Sequence, residues 1–118
     1  MTRMNIQKRR KRFRERTKYT TDRPRLSVHK TNQYTYAQLI DVRTGKVLVS
    51  YDTKRLVKDD PKLVKLPGVK KALEMGKILG KKIKKQKIEE ILFDRSGYRY
   101  HGKVKAIAEG LREAGLKF

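Results

Sequence analysis

The chain contains no cysteine, which excludes disulfide cross-links and thiolate metal sites. Its two histidines, His29 and His101, are too few to hold zinc without carboxylates completing the coordination, and no metal or other cofactor is expected. Acidic residues are scarce: 12 Asp and Glu stand against 33 Lys and Arg, a formal net charge of +21 with a pI near 10.5. Such an imbalance costs self-repulsion in the folded state and points to a polyanionic partner. No apolar stretch approaches spanning length and no strongly apolar face accompanies the basic segments, so nucleic acid is a better candidate than a membrane surface. Signatures of catalysis are missing as well: there is no G-x-S-x-G elbow, no H-E-x-x-H and no phosphate-cradling glycine loop. With 118 residues, the chain has room for one domain with a modest core.

What is present begins with a basic tail. Residues 1–21 carry Arg3, Lys8, Arg9, Arg10, Lys11, Arg12, Arg14, Arg16 and Lys18, with Glu15 almost alone against them. Ile6 and Phe13 are too few apolar groups to bury, so the extension is expected to be disordered when free. Laid along phosphates it could become helical, since proline is absent and the arginine fork suits phosphate oxygens. A tail that only raises solubility is the blander alternative. An organellar presequence is another, although serine is missing and no secretory apolar core follows.

Residues 22–118 read as a single α/β domain. Arg23-Pro24-Arg25 gives an extended entry, and Arg25 to Lys30 alternates with period two, placing Leu26 and Val28 on the core side and Arg25, Ser27 and His29 opposite. Thr31-Asn32-Gln33 turns the chain into a second strand, Tyr34 to Val42, and Arg43-Thr44-Gly45 into a third, Lys46 to Tyr51. Three short strands joined by tight turns make an antiparallel meander. Asp52 to Pro67 lacks a clean period and reads as a loop pinned by Leu63, Val64 and Leu66.

After Pro67-Gly68, the residues Val69, Ala72, Leu73, Gly76, Leu79, Gly80 and Ile83 recur at helical spacing, and Gly76 and Gly80 suggest a helix lying close against the sheet. The lysines opposite, including Lys70, Lys77, Lys81 and Lys84, are expected to be a solvated face. Ile88 to Phe93 is a fourth strand whose apolar run suits cover on both faces. Reached through a helix, it should lie parallel to a neighbour. Val104, Ile107, Ala108 and Leu111 mark a C-terminal helix, with Gly115 at its left-handed end and Leu116 packing back.

The loop between the fourth strand and the last helix, in FDRSGYRYHGK from Phe93 to Lys103, is the candidate functional stretch. Open α/β sheets place ligands at the carboxyl ends of strands. Ser96, His101 and Asp94 are the residue types of a hydrolytic triad, and Asp41, Asp52 and Asp94 could be carboxylates of a metal-dependent nuclease, but neither set has a supporting motif. For RNA the fit is better. Arg95, Arg99 and Lys103 supply charge, while Tyr98, Tyr100 and His101 supply stacking faces. Gly97 and Gly102 allow close backbone approach, and the amides at Gly102 and Lys103 open a helix where phosphate is favoured. Against this, Tyr98 and Tyr100 could simply cover the sheet end.

The stretch FDRSGYRYHGKVKAIAEGLREAGLKF, together with RPRLSVHKTNQYTYAQLID and the basic tail, resembles the bacterial-type large-subunit ribosomal protein that binds 5S rRNA, the eighteenth large-subunit family. The resemblance implies a non-catalytic α/β domain that holds 5S rRNA, helps attach it to large-subunit rRNA, and sits as a monomer among the ribosomal proteins of the central protuberance. A cytoplasmic bacterial ribosome and an organellar one both agree with it. Carried onto this sequence, the family's RNA surface falls on the tail cations Arg3 to Arg16, on Arg23 and Arg25, on Lys30, Thr31, Asn32 and Tyr34, and on Arg95, Ser96, Gly97, Tyr98, Arg99, Tyr100, His101, Gly102 and Lys103. The departures are small. Lys30-Thr31-Asn32 stands where the family commonly has Arg-Ser-Asn, Ser96 where a second glycine is frequent, and Lys103 where arginine is frequent.

Overall fold

Pro24 holds the chain extended, and the alternation after it is realised as strand β1 (Arg25–Lys30) in a computed structural model that describes residues 23–31 and 33–118. Asn32 and the whole basic extension, including Arg3 to Arg16, lie outside the described residues. Antiparallel to β1 runs β2 (Thr35–Ile40), and antiparallel to β2 runs β3 (Val47–Asp52), which is the expected meander. Strand β4 (Leu92–Asp94) pairs in parallel with β1, so the sheet order is β3-β2-β1-β4.

Strand β1 has the bounds expected from the sequence, and β3 has the expected length, shifted by one residue. The other two, β2 and β4, are shorter: polar side chains fix the turns on either side of β2, and backbone pairing draws away the start of the fourth strand. The Thr31 hydroxyl accepts from the Tyr34 amide at 3.0 Å, holding Tyr34 in the turn before β2. Beyond β2, Asp41 accepts from the Arg43 amide at 2.9 Å and fixes the turn into β3. At the fourth strand, residues 89–91 pair with the C-terminal end instead of β1. Ile91 donates to Lys117 O at 3.1 Å, and Lys117 donates to Glu89 O at 2.9 Å.

The stretch from Asp52 to Pro67 is not a loop. It folds into helix α1 (Thr53–Asp59) and a 3₁₀ turn (Pro61–Lys65). Asp52 caps α1, its carboxylate accepting from the Arg55 amide at 2.7 Å, and Leu56 is fully buried. Two helices follow: α2 (Gly68–Lys85) between β3 and β4, and α3 (Lys103–Glu113) after β4.

Both long helices cover one side of the sheet. Leu26, Val28, Ala37 and Leu39 meet Met75, Leu79, Ile83, Ile107 and Leu111 in one apolar cluster, all without exposure. Each fully buried leucine of this kind contributes about 1.5–3 kcal/mol. Because only this side is covered, Leu92, in register with Arg25 on the other face, stays half-buried and β4 is not enclosed on both faces. Phe93, in register with Leu26, packs against the core from the sheet edge. The inward face of α2 is also set differently from expectation: Met75 belongs to it, whereas Val69 is exposed.

Gly76 and Gly80 do permit a close approach, but to α3 and not to the sheet. A Cβ on Gly76 would stand 2.5 Å from Ile107 O, and one on Gly80 the same distance from the Ala114 Cβ. Gly110 answers from α3, where a Cβ would meet Leu73 O at 2.4 Å. The two helices therefore touch backbone to backbone. Lys77 joins them at the rim, pairing with Glu74 at 3.3 Å and Glu113 at 3.4 Å. Its ammonium pKa is raised, first by the hydrogen bond to Glu74. At the end of α3, Gly115 takes φ +102 and Leu116 folds back onto the core, as expected.

Candidate nucleic-acid interface

Parallel pairing of β1 and β4 puts their carboxyl ends side by side. The turn after β1 and the loop after β4 therefore share one end of the sheet, with Ser27 opposite Asp94 in register. Buried polar contacts lock them together. Ser27 Oγ lies 3.2 Å from Ser96 Oγ and 3.0 Å from His29 Nε2. Asp94 accepts from the Ser96 amide at 2.8 Å and faces Arg25 Nη1 at 3.9 Å. The pairing of Asp94 is thus with Arg25 across the strands and not with its neighbour Arg95.

Arg95 to Tyr98 form a tight turn in which the Tyr98 amide donates to Arg95 O at 2.9 Å. Both central residues have positive φ, +54 at Ser96 and +82 at Gly97, the combination that defines the type I′ class. This position favours glycine, so a residue with a Cβ is strained there. Here the serine side chain occupies the site and bonds Ser27.

The two tyrosines have different surroundings. Tyr98 is half-buried against the core, its hydroxyl reaches Lys30 O at 3.5 Å, and Lys30 Nζ sits 5.3 Å over its ring. Tyr100 is 39% exposed, and its hydroxyl accepts from Arg112 Nη1 at 3.0 Å. Arg112 in turn lies over Phe118, which stacks on Phe93, so Tyr100 is an outward ring braced by an aromatic layer. His101, Arg95 and Arg99 are exposed. Neither arginine forms an ion pair with a described residue. Gly102 adopts φ 59 and ψ −124, a conformation for glycine alone, and opens α3 at Lys103. The stem of Lys103 passes over Gly68 at the start of α2.

Across the β1–β2 turn, Lys30, Thr31 and Tyr34 all lie exposed beside the loop after β4. Arg23 and Arg25, by contrast, have acidic partners, Glu90 at 3.2 Å and Asp94. The structure therefore gathers the predicted turn and loop residues at one end, while Arg23 and Arg25 approach the opposite end of β1. Tyr36, Gln38 and Lys54 extend the same surface and were not singled out from sequence. Tyr36 stacks on His29 at 5.3 Å and is 36% exposed. The available signal was the outward phase of β2, in which Tyr36 and Gln38 share the face opposite Ala37 and Leu39.

The catalytic alternatives do not assemble. Ser96 is buried and bonded to Ser27, and the histidine beside that pair is His29 rather than His101. Among the described residues, no three His, Asp or Glu side chains gather where a metal could bind.

The family described as ribosomal L18 of archaea, bacteria, mitochondria and chloroplasts matches residues 1–118. The chain belongs to the ribosomal L18 family. The large ribosomal subunit protein uL18 of Petrotoga mobilis is 48% identical over 113 residues, covering 95% of this chain and 91% of that protein. Its counterpart in Bartonella tribocorum is 47% identical over 115 residues, covering 96% and 94%. That of Thermotoga petrophila is 44% identical over 115 residues, covering 94% and 90%. L18 is a structural, non-enzymatic family.

Proposed function

We propose that this structural constituent of the large ribosomal subunit binds 5S rRNA and helps attach it to the large-subunit rRNA in the central protuberance. The observation that carries the reading is the shared sheet end. Two segments 60 or more residues apart, Lys30 to Tyr34 and Arg95 to Lys103, meet there through contacts such as Tyr98 to Lys30 O, with |i−j| of 68. The surface they make is cationic and aromatic, with Lys30, Tyr34, Arg95, Arg99, Tyr100 and His101 exposed, as a site for structured RNA needs to be. Phosphate neutralisation supplies most of the affinity, to which the net charge of +21 and the basic extension contribute, while the turn and loop match RNA shape and unpaired bases.

A competition assay tests this. At matched salt, 5S rRNA should displace labelled 5S rRNA from the full chain at far lower concentration than tRNA does. Equal displacement by the two RNAs would show non-specific polyanion binding and sink the proposal. Removing residues 1–16 should flatten the salt dependence, each lost phosphate contact removing roughly one unit of slope.

A further inference from the structure

Beside the β1–β2 turn, on the part of the sheet the helices leave uncovered, a hollow of about 290 Å³ is lined by Tyr34, Tyr36, Gln38, Ser50, Lys54 and Arg55 among others. We propose that this hollow receives one unpaired rRNA nucleotide. The inference rests on the rRNA-binding reading above and extends it from Tyr34 to Tyr36, Gln38 and Lys54, which that reading does not use.

Asp52 also lines the hollow, but its carboxylate is engaged by the Arg55 side chain at 3.5 Å and the Arg55 amide at 2.7 Å. The rest of the lining offers three chemistries that suit a nucleotide. Tyr34 and Tyr36 offer ring faces, 39% and 36% exposed. The far side of Tyr36 is stacked on His29, so its ring is a fixed platform on which a base can lie without ordering a mobile side chain. Gln38 offers an amide whose donor and acceptor stand side by side. No described residue hydrogen-bonds its side chain, whereas a base edge can satisfy both groups at once. Lys54 supplies the cation. Its Nζ lies 5.7 Å from the centre of the Tyr34 ring, with no carboxylate paired to it among the described residues, leaving it available to a phosphate. Arg55 is committed elsewhere, held by Asp52 at 3.5 Å and donating to Ser50 O at 3.3 Å. It therefore builds the wall and does not read the ligand.

The arrangement is preorganised. The Thr35 amide donates to Thr53 Oγ1 at 3.1 Å in a buried bond, which fixes the relative positions of the adjoining residues Tyr34 and Lys54. Together these two form a ridge. On its other side a second hollow of about 260 Å³ is lined by Gln33, Val57, Val64 and Lys71, besides Tyr34, Thr53 and Lys54. A strand leaving the first hollow would cross Lys54 with its phosphate and meet Lys71 beyond it. Each hollow is at the small end of the range for ligand pockets, roughly 300 Å³, which suits one nucleotide unit and not a helix of either kind.

Placing a photo-crosslinking residue at position 36, as Tyr36→p-benzoylphenylalanine, and irradiating the assembled large subunit tests this directly. The crosslink should map to a single unpaired rRNA nucleotide. In binding assays with the full chain, Tyr36→Ala should weaken rRNA binding roughly five- to a hundredfold and Tyr36→Phe should retain it, because the stacking face is what matters. Lys54→Gln should lower the salt slope by about one unit. Crosslinks confined to paired rRNA or to a ribosomal protein would overturn the assignment, as would wild-type affinity in Tyr36→Ala. A failure of 5S rRNA to outcompete tRNA with the wild-type chain would instead overturn the 5S reading, while the crosslink in the intact subunit still decides the hollow.

Discussion

The two faces of the sheet obey opposite rules although the same strands build both. Toward the helices, Leu26, Val28, Ala37 and Leu39 are fully buried, and behind them α2 and α3 touch through glycines at backbone distance. On the other face, Ser27, His29, Tyr36, Gln38 and Asp94 are polar or aromatic; Ser27, His29 and Tyr36 are joined sideways by a hydrogen bond and stacking, and Asp94 accepts from the Ser96 amide. Apolar closure uses up every surface it brings together. Polar assembly on the open face leaves ring faces and an amide unspent. Because side chains alternate along a strand, the packed face and the face proposed to meet rRNA are separated here by one residue of sequence.

The sharpest way to break that comparison is a pair of adjacent substitutions on β2. Leu39→Ala should destabilise the fold by about 2–5 kcal/mol, the range for emptying a fully packed leucine site. Gln38→Ala should move stability by no more than roughly 0.5 kcal/mol, with its effect confined to rRNA affinity. Urea denaturation of both variants beside a binding titration checks this. A large stability loss in Gln38→Ala would show that the open face is structural too.

A second test acts through pH on the edge of the core. The Tyr51 phenol is pushed up to about 12, first by burial and then by its hydrogen bond to Asp59 at 2.9 Å. Below pH 10 the phenol is protonated whether the chain is folded or not, and its contribution is complete. Between pH 10 and 12 the unfolded chain ionises while folded Tyr51 does not, so the contribution is lost as pH rises. Over that window the wild type should lose about 2 kcal/mol more than Tyr51→Phe. Parallel pH profiles of the two chains by chemical denaturation would show no work for the burial if they coincided.

Much of this division was legible in the sequence, and the parts that were not have physical causes. The meander, the parallel fourth strand and both long helices follow from period-two and three-to-four spacing. Helix α1 was missed because seven residues give too few turns for a period to show, and only Leu56 and Thr53 in it are buried. The N-cap at Asp52 was its one visible signal. Gly76 and Gly80 announced a close approach, but a glycine does not say to what. The partner became visible only when Gly110 was found facing them. At the sheet end, the turn after β1 and the loop after β4 were readable as separate basic and aromatic segments. Their contact depends on parallel pairing, and the inclusion of Lys54 depends on the Thr35 to Thr53 bond, whereas Tyr36 and Gln38 were within reach of the alternation along β2. No local pattern encodes a contact between strands.

A smaller effect distinguishes the two tyrosines of the loop. If a base stacks on Tyr100, Tyr100→Ala should cost about 1–3 kcal/mol in rRNA binding and little in stability, since the ring stands outward. Tyr98→Ala should lower stability as well, because that ring packs on the core under Lys30. Thermal melts beside binding titrations separate the two. Equal melting temperatures for both variants would mean that Tyr98 and Tyr100 do the same job, contrary to their surroundings.

The smallest expected effect is at Ser96, where the two rules meet in one residue. Its left-handed backbone costs about 1–2 kcal/mol for a residue with a Cβ, and Ser96→Gly would remove that cost. The substitution would also delete the hydroxyl facing Ser27 Oγ, a buried bond contributing about 0.5–1.5 kcal/mol. Added freedom in the unfolded chain would take a further 0.5–1 kcal/mol or so. Ser27 would keep His29 as a partner, so no hydroxyl is stranded. These contributions nearly cancel, and Ser96→Gly should change stability by less than about 1 kcal/mol. A loss well beyond that in urea denaturation would mean that the Ser27 to Ser96 contact, and not the backbone of the turn, holds the loop against β1.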